Sequence, residues 1–172
     1  MSKNIIVGNI FSFIASCFLV YSCITSSRKK AYFFQMMESV MLCFSSVCFG
    51  MWAGLVTLII SIVRNLLVVF DKLDAHKIVI CTISVFVFGV IINDKGLIGL
   101  MPVIGTIQLT LCSFYIKNLI GTKLSFLCNI IIWAVYSLLI YDFAAGLTQF
   151  VIAVITIFSI INTYKRNLDE IR

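Results

Sequence analysis

Seven runs of apolar residues, each close to bilayer length, leave this chain little to build except membrane-spanning helices. They occupy 5–25, 32–49, 52–70, 77–93, 97–116, 123–141 and 143–163. A hydrocarbon core takes about 20 residues of helix to cross, and without water every backbone amide must bond within its own segment. An all-α polytopic membrane protein follows, with no length left for a soluble domain. Hydrophobic residues make up 62% of the 172 positions and the mean hydropathy is +1.13, against roughly 45–50% apolar residues in a soluble domain. The run at 77–93 is short, and the break after residue 49 rests on Gly50 and on length, so six spans is the alternative count.

Orientation follows from Lys and Arg, which short loops retain on the cytoplasmic side. With seven spans, one face collects Arg28, Lys29, Lys30, Lys72, Lys77, Lys117, Lys123, Lys165, Arg166 and Arg172, whereas the other has Lys3 and Lys95. The N-terminus is therefore expected outside, and the tail at 164–172 in the cytoplasm. This bias, with some attraction to anionic membrane lipid, accounts for the net charge of +6 and calls for no nucleic acid. Lys3 ahead of an apolar run resembles a secretion signal. The run exceeds the usual core of about 7–15 residues and lacks a small-residue cleavage site, and Tyr21 suits a lipoprotein site before Cys23 poorly, so an uncleaved first span is expected.

Little in the chain suggests bond-making chemistry. All seven cysteines (Cys17, Cys23, Cys43, Cys48, Cys81, Cys112 and Cys128) fall in the spans without C-x-x-C spacing, and read as small packing residues. His76 is the lone histidine, in a loop beside Asp71 and Asp74, which is too few ligands for a metal set. Nucleophile elbows, H-E-x-x-H and glycine-rich phosphate loops are missing from the sequence. The expectation is a protein that is not an enzyme and needs no metal or cofactor.

Glu38 and Arg64 stand out as full charges inside apolar runs, and a charge retained in a span is a functional-site hypothesis by default. Glu38 lies roughly six residues, or about 9 Å at 1.5 Å per residue, from the start of the second run. Arg64 lies at a similar depth before the end of the third. On adjacent antiparallel helices the two can meet, with Gln35 one turn from Glu38 and Asn65 beside Arg64 to complete a hydrogen-bonded cluster. Such a pair serves either as a salt bridge fixing two helices or as a gate coupled to solute or protons; Arg64 could instead snorkel to the headgroups, or the two charges could stay unpaired.

Internal repetition organises the rest. Ala53-Gly54-Leu55 opens the third run and Ala145-Gly146-Leu147 the seventh; Ile6-Val7-Gly8-Asn9-Ile10 in the first resembles Val103-Ile104-Gly105-Thr106-Ile107 in the fifth. Two three-helix bundles, 5–70 and 97–163, joined by a linker helix at 77–93, would share one membrane orientation, the parallel-repeat arrangement (3+1+3). Polar residues recur at helical spacing: Asn9, Ser12 and Ser16; Thr57, Ser61, Arg64 and Asn65; Pro102, Thr106, Thr110 and Ser113; Ser125, Asn129, Trp133 and Tyr136. Singly, each stripe could be helix-packing glue; together they point to a central polar crevice. Asn9, Thr106, Asn129 and Trp133 are the candidate solute contacts, since an amide and an indole four residues apart can bond and stack on a planar or sugar-like solute. Pro102, the single proline, with Gly99 and Gly105 nearby, marks either a hinge or a first helical turn.

The run Leu100-Met101-Pro102-Val103-Ile104-Gly105-Thr106-Ile107, the segment Ile62-Val63-Arg64-Asn65-Leu66 and the tryptophan-bearing sixth span resemble the YgjV family of bacterial inner-membrane proteins. Arg64, Pro102 and Thr106 are the positions that match. The resemblance implies a bacterial inner-membrane location and an architecture similar to the PQ-loop, SWEET and PnuC carriers, with a site between two three-helix bundles. The chain departs from the SWEET pattern in having no proline in its first bundle and no Pro-Gln pair. The combined expectation is a facilitative or proton-linked carrier of a small polar solute; the alternative is a non-transporting scaffold or regulator whose polar residues only join helices.

Overall fold

A computed structural model describes residues 3–93, 96–139 and 143–169. Lys95 and Arg172 of the charge count lie outside them. The described residues form helices α1 (Lys3–Ile24), α2 (Arg28–Phe49), α3 (Trp52–Val69), α4 (Ala75–Ile91), α5 (Gly96–Gly99), α6 (Met101–Tyr115), α7 (Leu119–Leu139) and α8 (Phe143–Asp169). Six segments are long and apolar enough to cross a membrane, α5 and α6 counting as one, and α4 is a shorter apolar helix. The seven apolar runs thus appear as helices, α4 being the run whose length had left six as the alternative.

Local chemistry sets the breaks. Gly50 adopts φ 67° after α2, and the amides of Gly50 and Met51 return to the Val47 and Ser46 carbonyls, which closes α2 and turns the chain directly into α3. The Asp74 side chain accepts from the Lys77 amide at 2.9 Å and starts α4. Pro102 sits in the first turn of α6, where its missing N–H takes no bond from the helix. Several helices run past the apolar segments: α2 begins at Arg28 and α7 at Leu119, because polar and basic residues continue a helix as readily as they end a hydrophobic run.

Packing partners define a ring. α1 packs on α2, α2 on α3, α3 on α6, α6 on α7, α7 on α8 and α8 on α1, while α4 lies outside against α3 and α6. The inner stripe of α4 is Ile78, Cys81, Val85 and Gly89; Lys77, Thr82 and Ser84 are half-buried, and its other residues, including Phe86 and Ile91, are exposed as expected of a lipid-facing surface. Gly89 permits the contact with α6, since a Cβ there would stand 2.5 Å from Val103 Cγ2. The connections 25–27, 70–74 and 116–118 share one end of the ring, the basic end. Arg28 donates there to the Ser113 carbonyl at 2.6 Å, and Lys29 pairs with Asp71.

Candidate functional site

Inside the ring lies a small cavity to which all six surrounding helices contribute: Leu19 from α1, Gln35, Glu38, Ser39 and Leu42 from α2, Leu58, Ser61 and Arg64 from α3, Thr106 and Leu109 from α6, Asn129, Ile130 and Trp133 from α7, and Gln149 from α8. Its volume is about 30 Å³, room for a water or two. Gln35, Glu38, Arg64, Thr106, Asn129 and Trp133, singled out from sequence, therefore share one chamber.

Asn9 departs from expectation, whereas Pro102 takes one of its two expected places. Asn9 stays outside: its amide donates to the Ile5 carbonyl of its own helix at 2.9 Å, and it does not line the cavity. Pro102 is buried in the first turn of α6, and the interruption in this span falls before it, at Leu100 between α5 and α6.

Glu38 and Arg64 are both buried, yet they form no direct ion pair; the ion pairs among the described residues are Lys29–Asp71 and Lys77–Asp74. The Arg64 fork is taken up otherwise. Nε and Nη2 donate to Asn65 Oδ1 at 3.0 and 2.8 Å, and Nη1 donates to Thr110 Oγ1 at 3.2 Å. The guanidinium is thereby turned towards α6, and the Glu38 carboxylate keeps no hydrogen-bond partner among the described residues. Of the arrangements that matched depth allowed, the structure has the unpaired one, with two charges lining one chamber.

The hydroxyls and the amides play different parts. Ser39, Thr57, Thr110, Ser113 and Ser125 each donate to a carbonyl three or four residues back in their own helix, so these stripes are satisfied locally. By contrast Gln35 Oε1, Asn129 Oδ1 and Gln149 Oε1 are buried without a hydrogen-bond partner among the described residues. An unpartnered buried acceptor costs about 1–3 kcal/mol, and three of them line the same cavity as Glu38. Gly105 brings α6 close enough to enclose them, since a Cβ there would lie 2.9 Å from Asn129 Oδ1.

Aromatic pairs flank the cavity on either side, with Tyr32, Phe126 and Tyr136 each one turn beyond a lining residue. Towards the basic end Tyr32 and Phe126 meet edge to face, with centroids 5.3 Å apart at 85°, both fully buried within a cluster that includes Cys23, Val68 and Ile152. Arg28 lies over the Tyr32 ring at 5.1 Å. Towards the other end Trp133 and Tyr136 stack edge to face at 5.7 Å, and the Tyr136 hydroxyl reaches Met51 Sδ at 3.8 Å.

The family model for Imp-YgjV, described as a bacterial inner membrane protein, matches residues 6–167. The chain belongs to the YgjV family. The match takes in every helix of the ring and every residue of the cavity, so this YgjV chain is a membrane protein of a bacterial inner-membrane family. No curated protein and no solved structure matches it.

Two polar residues were not singled out in the sequence, one in the central cavity and one outside it. Gln149 enters from α8, whose expected contribution was the Ala-Gly-Leu repeat alone. Lys123, counted as a loop residue, lies one turn inside α7 and is 1% exposed, with Nζ donating to Ser159 Oγ and Thr163 Oγ1, both at 2.8 Å. The signal available was the pair Ser159 and Thr163, four residues apart on one face of α8. Among the described residues no cluster of His, Cys, Asp and Glu could hold a metal ion.

Proposed function

We propose that this YgjV protein is a facilitative or proton-linked carrier of a small polar solute, working by alternating access around the central cavity. The observation that carries the reading is the chamber itself: among the described residues a carboxylate without a hydrogen-bond partner, an arginine and three unpartnered amide oxygens, lined by six helices and flanked on each side by an aromatic pair. Buried polar groups without partners are costly unless a ligand or water completes them. In this reading Glu38, Arg64 and Gln35 govern access from the basic end, Asn129, Trp133, Thr106 and Gln149 meet the solute, and the break before Pro102 is a hinge. The chamber, with room for water only, is then a contracted state without solute.

The parallel 3+1+3 arrangement belongs to the same proposal. Exchanging α1, α2 and α3 with α6, α7 and α8 leaves the ring of neighbours unchanged, which is what a two-fold axis along the membrane normal requires. Glu38, Ser39 and Leu42 on α2 and Asn129, Ile130 and Trp133 on α7 also line the cavity with the same spacing. The basic end is placed in the cytoplasm on the strength of the Lys and Arg bias, and no enzymatic step is invoked.

The tightness of the chamber favours one other reading, a scaffold or regulator whose polar core only fixes helices. Thermal stabilisation of the purified protein across a metabolite library, followed by uptake of the hits into proteoliposomes, separates the two. A carrier gives at least one stabilising solute whose uptake falls in Glu38→Gln and Asn129→Leu. If no solute stabilises or crosses, and Glu38→Gln with Arg64→Gln changes thermal stability alone, the carrier reading fails.

A further inference from the structure

A second chamber, separate from the central one, broadly open and lined by apolar and polar residues together, lies at the basic end between α1, α7 and α8. Its volume is about 410 Å³, and its lining includes Lys123, Arg166, Ser26 and Asn162, with Ile24 and Phe158 as apolar walls. Lys123 reaches it from the first turns of α7, buried to 1% exposure and held by two hydroxyls, Ser159 and Thr163. Ser159 in turn donates to the Cys23 carbonyl of α1 at 2.8 Å, so the lysine is fixed by the helices that form the walls.

No carboxylate among the described residues lines this chamber. A buried ammonium solvated by two neutral hydroxyls has lost its hydration without gaining a counter-charge among the described residues, an arrangement that breaking or omitting an ion pair makes costly. One of its three protons is uncommitted. The missing element is an anion. The lining comes from the end of α1, the connection after it, the first turns of α7 and the C-terminal half of α8, so the opening lies where these helices meet the basic end. Phosphate oxygens there could take a charge-assisted bond from Lys123 and further donors from Ser26 and Asn162, with acyl or glycerol carbons against Ile24 and Phe158.

We propose that this chamber binds a phosphate group through Lys123, with Arg166 beside it, and that the phosphate belongs to the headgroup of an anionic phospholipid. Basic pockets between transmembrane helices suit such headgroups, and the site does not depend on whether the central cavity carries a solute. The shared chemistry could also be met by soluble phosphate, so the experiment has arms for each source.

The purified protein would be delipidated in detergent and its thermal midpoint followed on adding phosphatidylglycerol, phosphatidylcholine or inorganic phosphate, each at matched ionic strength, with lipid retention read by native mass spectrometry. Phosphatidylglycerol should stabilise the protein and remain bound where phosphatidylcholine does not, and Lys123→Met should weaken its retention about tenfold, the scale of one charge-assisted contact. Stabilisation by inorganic phosphate equal to that by phosphatidylglycerol would overturn the lipid assignment in favour of a soluble anion. Equal effects of all three additives, or unchanged phosphatidylglycerol retention in Lys123→Met, would overturn the site. Should Lys123→Met not be recovered folded, Thr163→Val, which keeps the shape and removes one hydroxyl holding the lysine, and Arg166→Gln supply the comparison: loss of the preference for phosphatidylglycerol in both supports the site, and retention in both overturns it.

Discussion

Replacing Phe126 by alanine tests whether the cavity is closed by packing or merely bordered by it. The ring is fully buried and meets Tyr32 edge to face at 5.3 Å. Truncation vacates about 100 Å³, which at ~24 cal/mol per Å³ of unrelaxed cavity amounts to ~2.4 kcal/mol. Loss of the aromatic contact adds ~0.5–1.5 kcal/mol. The transfer contribution that raises such costs in soluble cores drops out here, because lipid tails are as apolar as the core. The expected total is about 3–4 kcal/mol, with about 1 kcal/mol for Phe126→Leu, which fills most of the space. Reversible unfolding in mixed micelles measures both, and a cycle with Tyr32→Ala should give a coupling of about 1 kcal/mol. In the same variant a Gln35→Cys probe should react faster with a soluble thiol reagent applied from the basic end. A cost below about 1 kcal/mol, or no coupling between the two rings, would refute the view that this pair closes the chamber.

Gly89→Ala should destabilise the protein by about 1–3 kcal/mol through overpacking against Val103, and Val103→Ala should restore most of the loss, as read by the same unfolding assay. The hydroxyls of Ser12 and Ser45 lie 2.7 Å apart between α1 and α2, so a double-mutant cycle with alanine at both positions should give a coupling of about 0.6 kcal/mol, the average for such bonds in membranes. Hydrogen bonds from the Lys77 side chain and amide hold the Asp74 carboxyl below its ordinary range. The stabilisation of the first turn of α4 is therefore present above the ordinary carboxylate pKa and lost as pH falls through the depressed one. Exchange protection of the Lys77 amide, corrected for intrinsic rate, should fall over that acidic window in the wild type and show no such step in Asp74→Ala.

Bilayer length made the helices legible, because an apolar run near 20 residues has little alternative in lipid. Their ends were less so. Lys123 was assigned to the basic face since it stands at the very start of the apolar run 123–141, whereas α7 begins at Leu119 and the partners that make its burial tolerable sit on α8. The same blindness to partners affected the charges: matched depth brought Glu38 and Arg64 to one chamber, but Thr110 on α6 and the adjacent Asn65 hold the guanidinium. Helical spacing marked Ser and Thr stripes and amides alike. What separates them is that a hydroxyl can return to its own helix, as Thr110 does to Thr106, whereas Asn129 and Gln149 have amide oxygens left unpartnered. Asn9 is the exception that bonds within its helix and so drops out of the site.

The seam between α1 and α8 carries a consequence for biosynthesis. α1 is made long before α8, and the Cys23 carbonyl that accepts from Ser159 must wait through the synthesis of all the helices between them. Until then Lys123 lacks both hydroxyls that hold it, and the ring is open on the side of the phosphate chamber. The nascent chain thus presents an exposed ammonium at the membrane boundary during insertion, and quality control that distinguishes finished from unfinished chains has a chemical difference to read at that seam.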